Sequence, residues 1–155
     1  MRFDDYNFDK PSSYDPWQAY GQAKTCNIYL ANEIERRYSS QGLHATSLHP
    51  GSINSDLQVH VREAVAHVWE TPEVKTNERS PAQGAATTVY AALSRDLEGK
   101  GGVFLSRCAI MGPFKGESPL DITDDGYAPY AYDAASEDRL WKDSLAMVGM
   151  KDDLE

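Results

Sequence analysis

Tyr20-Gly21-Gln22-Ala23-Lys24 lies inside a periodic run from Trp17 to Tyr38, which is followed by Leu43–His49 and then by Pro50-Gly51-Ser52-Ile53-Asn54-Ser55. Tyr20, Ala23, Lys24, Asn27, Ile28, Ala31 and Ile34 recur at spacings of three and four, which places them on one face of a helix. Ser39-Ser40-Gln41-Gly42 stops that helix, with Gly42 as the left-handed terminator. Leu43–His49 is short and alternating and reads as a strand, and Pro50-Gly51 ends it sharply. A helix, a strand and a tight turn in succession follow α/β logic.

Downstream, a second helix is predicted from Asp56 to about Trp69, with Ser55 and Gln58 at capping-box spacing. Ser80, Pro81 and Gln83 open a third helix that continues through Ala85, Val89, Ala92 and Leu93. Gly99, Gly101 and Gly102 mark a turn before a second strand, Val103-Phe104-Leu105. A last helix is predicted over Ser136–Met147. Upstream, residues 1–16 are irregular, punctuated by Pro11, Ser12, Ser13, Asp15 and Pro16. The two strands each follow a helix and suit neighbours in a parallel sheet. Two strands do not complete a doubly wound domain, so the chain is expected to begin partway through its fold.

The 155 residues amount to a single domain, and 41% hydrophobic with 25% charged is the balance of a soluble globular protein. A formal net charge of −9 argues against a nucleic-acid binder and against a polybasic membrane anchor, since both need a basic face. The acidity is uneven: residues 1–115 hold 13 acids and 12 bases, whereas residues 116–155 hold 11 acids and 3 bases. That C-terminal segment reads as solvated. No stretch approaches the roughly 18 apolar residues of a membrane span, and Met1-Arg2-Phe3-Asp4-Asp5 is no signal peptide. Cys26 and Cys108 are too few for a disulfide framework and lack metal-ligand spacing, so a cytoplasmic setting and no metal are expected.

On a helix, Tyr20 and Lys24 stack one turn apart. An ammonium beside a phenol stabilises the phenolate and turns the tyrosine into a usable general acid/base. The same ammonium reaches the hydroxyls of a bound sugar. The spacing is weak by itself, because nine Tyr and 7 Lys in 155 residues give about 0.4 chance matches. Tyr6 and Lys10 are such a match, in an irregular stretch followed by Pro11. Only Tyr20 and Lys24 are carried by a helical pattern. His44, His49, His60 and His67 lack partners at ligand spacing and read as ordinary histidines.

Y-x-x-x-K, then a strand, then His49-Pro50-Gly51-Ser52-Ile53-Asn54-Ser55, with Pro50 thirty residues after Tyr20, resembles the short-chain dehydrogenase/reductase family. The likeness is to its retinol-dehydrogenase-like branch, and it extends to Pro81-Ala82-Gln83-Gly84-Ala85-Ala86, Gly102-Val103-Phe104 and Ala134–Leu145. The resemblance implies the C-terminal part of a Rossmann-like doubly wound parallel sheet. It implies an oxidoreductase moving hydride between NAD or NADP and a small apolar alcohol or carbonyl. Tyr20 would be the acid/base. Lys24 would assist it and bind the nicotinamide ribose. Pro50 and Gly51 would line the nicotinamide, and Ile53 would offer its backbone to the carboxamide. Ser55, where the family has Thr, would keep a cofactor hydrogen bond. The helix Trp17–Tyr38 would build a homo-oligomer. An apolar substrate is also suggested by Leu57, Val61, Val65 and Trp69.

The family's glycine-rich pyrophosphate turn and first strands belong far upstream of Y-x-x-x-K, yet only 19 residues precede Tyr20. Ser12 and Ser13 stand too close to Tyr20 to be the family's catalytic serine. The expectation is therefore the C-terminal half of such an enzyme, beginning at an internal methionine or a mis-set start. Its alternative is an inactive fragment or interaction module. A sugar-nucleotide epimerase also uses Y-x-x-x-K, but its larger substrate domain has no counterpart after Leu105.

Overall fold

The structure, a computed structural model, describes residues 1–116 and 126–152. Part of the acidic stretch 116–155, namely 117–125 and 153–155, lies outside the described residues. The chain forms two compact units. The first is built from Met1–Ser47, Gly99–Val103 and the described residues from Pro129 onward. The second is built from Leu48–Glu98 and the described residues of Phe104–Ala128.

The first unit is organised by helix α1 (Pro16–Tyr38), which begins one residue before the predicted Trp17–Tyr38. Asp15 caps it by accepting the Gln18 N–H at 2.7 Å, and Pro16 supplies a preset φ for the first turn. After a short 3-10 turn over Ser39–Gln41, Gly42 takes φ +82°, the left-handed terminator foreseen. The last helix of the chain, Ala134–Met147, begins two residues before its expected start. Asp133 is the reason, since its carboxylate accepts the N–H groups of Ala135 and Ser136.

These two helices pack together through a polar seam. Asn32 Nδ2 donates to Glu137 Oε1 at 2.8 Å, and the Tyr29 hydroxyl donates to the Tyr130 carbonyl at 2.8 Å. Glu33 and Glu137 are each only 2% exposed. Arg36 bridges both carboxylates, and Arg37 Nε reaches Glu33 at 2.5 Å. Arg37 also holds both Asp152 oxygens, at 2.8 and 2.9 Å, with its guanidinium 5.1 Å from the Trp141 ring centre. Carboxylates taken this far out of water persist only when cations and donors surround them.

In the second unit the sequence elements are shorter than expected. The first strand, β1, covers Ser47–His49 rather than Leu43–His49. Ala45, just before it, donates to Glu35 Oε2 at 3.0 Å and accepts from Gly102 at 2.8 Å, so its backbone groups are satisfied outside a ladder. Ser52–Ile53 forms β2, which pairs in parallel with β3 (Glu78–Arg79) in the register Ser52↔Glu78 and Ile53↔Arg79. The helix predicted from Asp56 is instead a 3-10 turn over Asp56–Gln58, followed by α2 at Arg62–Trp69. A short helix not foreseen, α3 (Pro72–Asn77), is capped by Thr71.

Helix α4 (Pro81–Leu93) is the best-anticipated element of this unit. Ser80 Oγ accepts the Gln83 N–H at 3.3 Å, and Gln83 Oε1 accepts the Ser80 N–H at 2.9 Å, completing the capping box. The second predicted strand is β4, shifted by one residue to Phe104–Ser106. It turns back into an antiparallel partner, β5 (Ala109–Met111), which the sequence reading did not foresee. The sheet runs β1-β4-β5, with Leu105 and Ser106 fully buried. The last helix, Ala134–Met147, is α5. The architecture is mixed α/β with parallel pairing, consistent with part of a Rossmann-like fold. Among the described residues, no helix is long and apolar enough to cross a membrane.

Candidate functional site

Helix α1 carries two opposed faces. Tyr29, Asn32, Glu33 and Arg36 are spaced to face α5, while Tyr20, Lys24, Asn27, Ala31 and Ile34 fall about half a turn away. Ala31 is buried and Ile34 half-buried, but towards the N-terminus this second face opens to solvent. Tyr20 is 56% exposed there. Lys24 Nζ lies over the Tyr20 ring, 5.3 Å from its centre. The i, i+4 spacing thus brings ammonium and phenol ring together on an accessible surface, as the sequence predicted for this pair.

The other Y-x-x-x-K match behaves differently. The Tyr6 hydroxyl donates to Asp143 Oδ2 at 2.6 Å. Burial, together with that bond and the charge of Asp143, pushes the phenol well above its ordinary value. A proton so held is the opposite of what acid/base work at neutral pH requires.

The second unit holds the turn. Pro50, Gly51, Ile53 and Ser55 are all half-buried. Gly51 takes φ +92°, a conformation that costs other residues and not glycine. Its N–H donates to His49 Nδ1 at 3.1 Å, which makes that nitrogen the unprotonated one of the ring. Ile53 leans on α4 at Gly84: an added Cβ there would stand 2.1 Å from Ile53 Cδ1 and 3.8 Å from the Pro50 carbonyl oxygen. The β2–β3 pair fixes the far side of the turn.

Three contributors escaped the sequence reading as site residues. His49 closes the turn through an i to i+2 bond, a spacing visible in His-Pro-Gly. Gly84 provides the flat helix surface under Ile53, a role that the Pro-Ala-Gln-Gly-Ala-Ala motif does not by itself reveal. Arg79 lies across Gly51, and nothing in the local sequence announces it.

No protein-family model matches the chain. It is 44% identical over 147 residues to the short-chain dehydrogenase/reductase prx1 of Penicillium roqueforti, covering 94% of this chain and 42% of that protein. It is 38% identical over 144 residues to the oxidoreductase calI of Penicillium decumbens, covering 89% of this chain and 41% of that protein. A WW domain-containing oxidoreductase of Gallus gallus is 36% identical over 111 residues, 70% of this chain and 26% of that protein. The chain thus spans about two fifths of the length of the first two relatives (42% and 41%).

Proposed function

Taking as premise the short-chain dehydrogenase/reductase family that these relatives support over most of the chain, we propose that it carries the acid/base helix and the nicotinamide turn of an NAD(P)-dependent oxidoreductase. The substrate class is a small apolar alcohol or carbonyl. The observation that carries this reading is the Lys24 ammonium 5.3 Å from the centre of the exposed Tyr20 ring. A nicotinamide held at this turn would supply the hydride acceptor or donor. Tyr20 moves the accompanying proton at its phenolic oxygen, giving it to a carbonyl oxygen or taking it from an alcohol. Lys24 adds positive charge beside the ring and offers donors to a ribose hydroxyl.

The turn suits a flat aromatic ligand. Pro50 cannot rearrange its φ, and the His49 bond with the β2–β3 pairing holds the backbone on both sides. Ile53 and Ser55 are the groups on it that would bind the carboxamide and a cofactor hydroxyl or phosphate oxygen.

The test is Tyr20→Phe in the protein expressed from its own gene, assayed with NADH and NADPH against apolar aldehydes and ketones. Turnover should fall by at least about 100-fold, while cofactor affinity holds within about twofold. A Phe variant of undiminished activity would end the proposal. Titrating NADH and NADPH into the 155-residue chain then tells whether the turn holds a cofactor by itself, and absence of binding favours the interaction-module alternative.

A further inference from the structure

Arg79 is a group beside the turn that the reaction above leaves unused. It ends β3 and lies opposite Ile53 in the parallel register. Its side chain crosses Gly51: the point where a Cβ would stand on that glycine is 2.7 Å from Arg79 Cδ, 2.7 Å from Nε and 3.0 Å from Cζ. The residue is half-buried. Among the described residues, no acceptor is hydrogen-bonded or ion-paired to its guanidinium. The stem is therefore held by packing and by the strand pairing, and among the described residues the five donors of this permanent cation have no hydrogen-bond or ion-pair partner.

We propose that Arg79 binds the phosphate attached to the nicotinamide half of the dinucleotide, an assignment that rests on the reading of Pro50–Ser55 as the nicotinamide turn. The Gly51 contact keeps the cation within one side chain's length of that turn. The planar fork of arginine matches two phosphate oxygens at once. The competing anion would be a carboxylate on the substrate. The segment after the turn presents Leu57, Val59 and Val61 to solvent, and such side chains suit an uncharged apolar substrate, so the charge falls to the cofactor. Gly51 is then doubly constrained, since any side chain on it would displace the arginine as well as strain the backbone.

Nicotinamide mononucleotide, nicotinamide riboside, inorganic pyrophosphate and benzoate are each titrated into the 155-residue chain and into Arg79→Met. The backbone amide signals of Gly51 and Ile53 and the Arg79 Nε–H signal are followed by NMR. The mononucleotide should bind the unaltered chain about tenfold more tightly than the riboside. In Arg79→Met that preference should vanish while the riboside still shifts Gly51, which also shows that the variant is folded. Equal affinity for nucleotide and nucleoside in the unaltered chain overturns the assignment, as does a benzoate response at Arg79 stronger than that to pyrophosphate. If pyrophosphate shifts Arg79 Nε–H but no nicotinamide ligand shifts Gly51, the nicotinamide reading fails and Arg79 stands as an anion receptor. Silence towards every probe overturns both.

Discussion

Ile53 and Gly84 occupy each other's space: Cδ1 of the isoleucine is 2.1 Å from where a Cβ would sit on the glycine. A helix interior ordinarily gains about 1 kcal/mol when Gly becomes Ala. Here Gly84→Ala is expected to lose about 1–3 kcal/mol instead, the usual cost of overpacking, and to displace Ile53 and with it the Pro50–Ile53 turn. Urea midpoints and the Ile53 amide shift measure both effects. Ile53→Val, which removes Cδ1 but keeps Cγ1 2.8 Å from that point, should recover part of the loss in the double variant. A Gly84→Ala protein more stable than the parent would show that the two residues do not meet.

The Tyr6–Asp143 bond makes an alkaline prediction. Because burial and the carboxylate raise the folded-state value above the ordinary one near 10, the stability it adds is fully present below about pH 10. It is lost as pH rises through the higher folded value. Tyr6→Phe should cost about 1–2 kcal/mol at neutral pH, and its gap to the parent should stay constant up to about pH 10 and narrow beyond it. Urea titrations across that range decide the matter. A gap that widens in alkali would mean the phenol is not held protonated.

Local signals were legible where their partners were close in sequence. The three-and-four spacing of α1 and the Ser-Pro-x-Gln start of α4 each contain their own cause, so both helices lie where expected. Gly42 and the Pro50-Gly51 bend were readable for the same reason. The β4–β5 hairpin was not, because its turn is Arg107-Cys108, at φ +50° and +55°, where Asn-Gly would be the recognisable choice. Thr87, buried on α4, supports that turn by accepting the Cys108 N–H at 3.3 Å, from 21 positions away. The polar seam was equally hidden. Glu33 and Glu137 look like solvated helix residues until helices about 100 positions apart are brought together. Of the candidate site, the tyrosine–lysine pair needed one helical turn of information and was visible. Arg79 over Gly51 needed a strand pairing across 26 residues and was not.

The capping box gives a third prediction. Ser80→Ala removes the acceptor of the Gln83 N–H and should cost about 1 kcal/mol. Gln83→Ala in that background should cost little more, since the two bonds support one another. The double-mutant coupling is read from urea midpoints. Full additivity would mean the two contacts act separately.

The seam between α1 and α5 supports the sharpest test of what charge does inside this chain. Glu137 is 2% exposed and is held by Arg36 and by the Asn32 amide. Arg36→Met leaves that carboxylate facing a neutral amide, whereas Glu33 still keeps Arg37. The expected loss is about 3 kcal/mol, most of it the penalty of an uncompensated buried charge. Adding Glu137→Gln deletes a further hydrogen-bonding ion and yet should raise stability above that of Arg36→Met alone, because the residue left behind is neutral. If the second substitution lowers stability further, the cost of losing Arg36 lies in its packing. Glu137 would then not be a stranded charge, and the seam would owe its strength to the aliphatic stem of Arg36 and to the Asn32 bond.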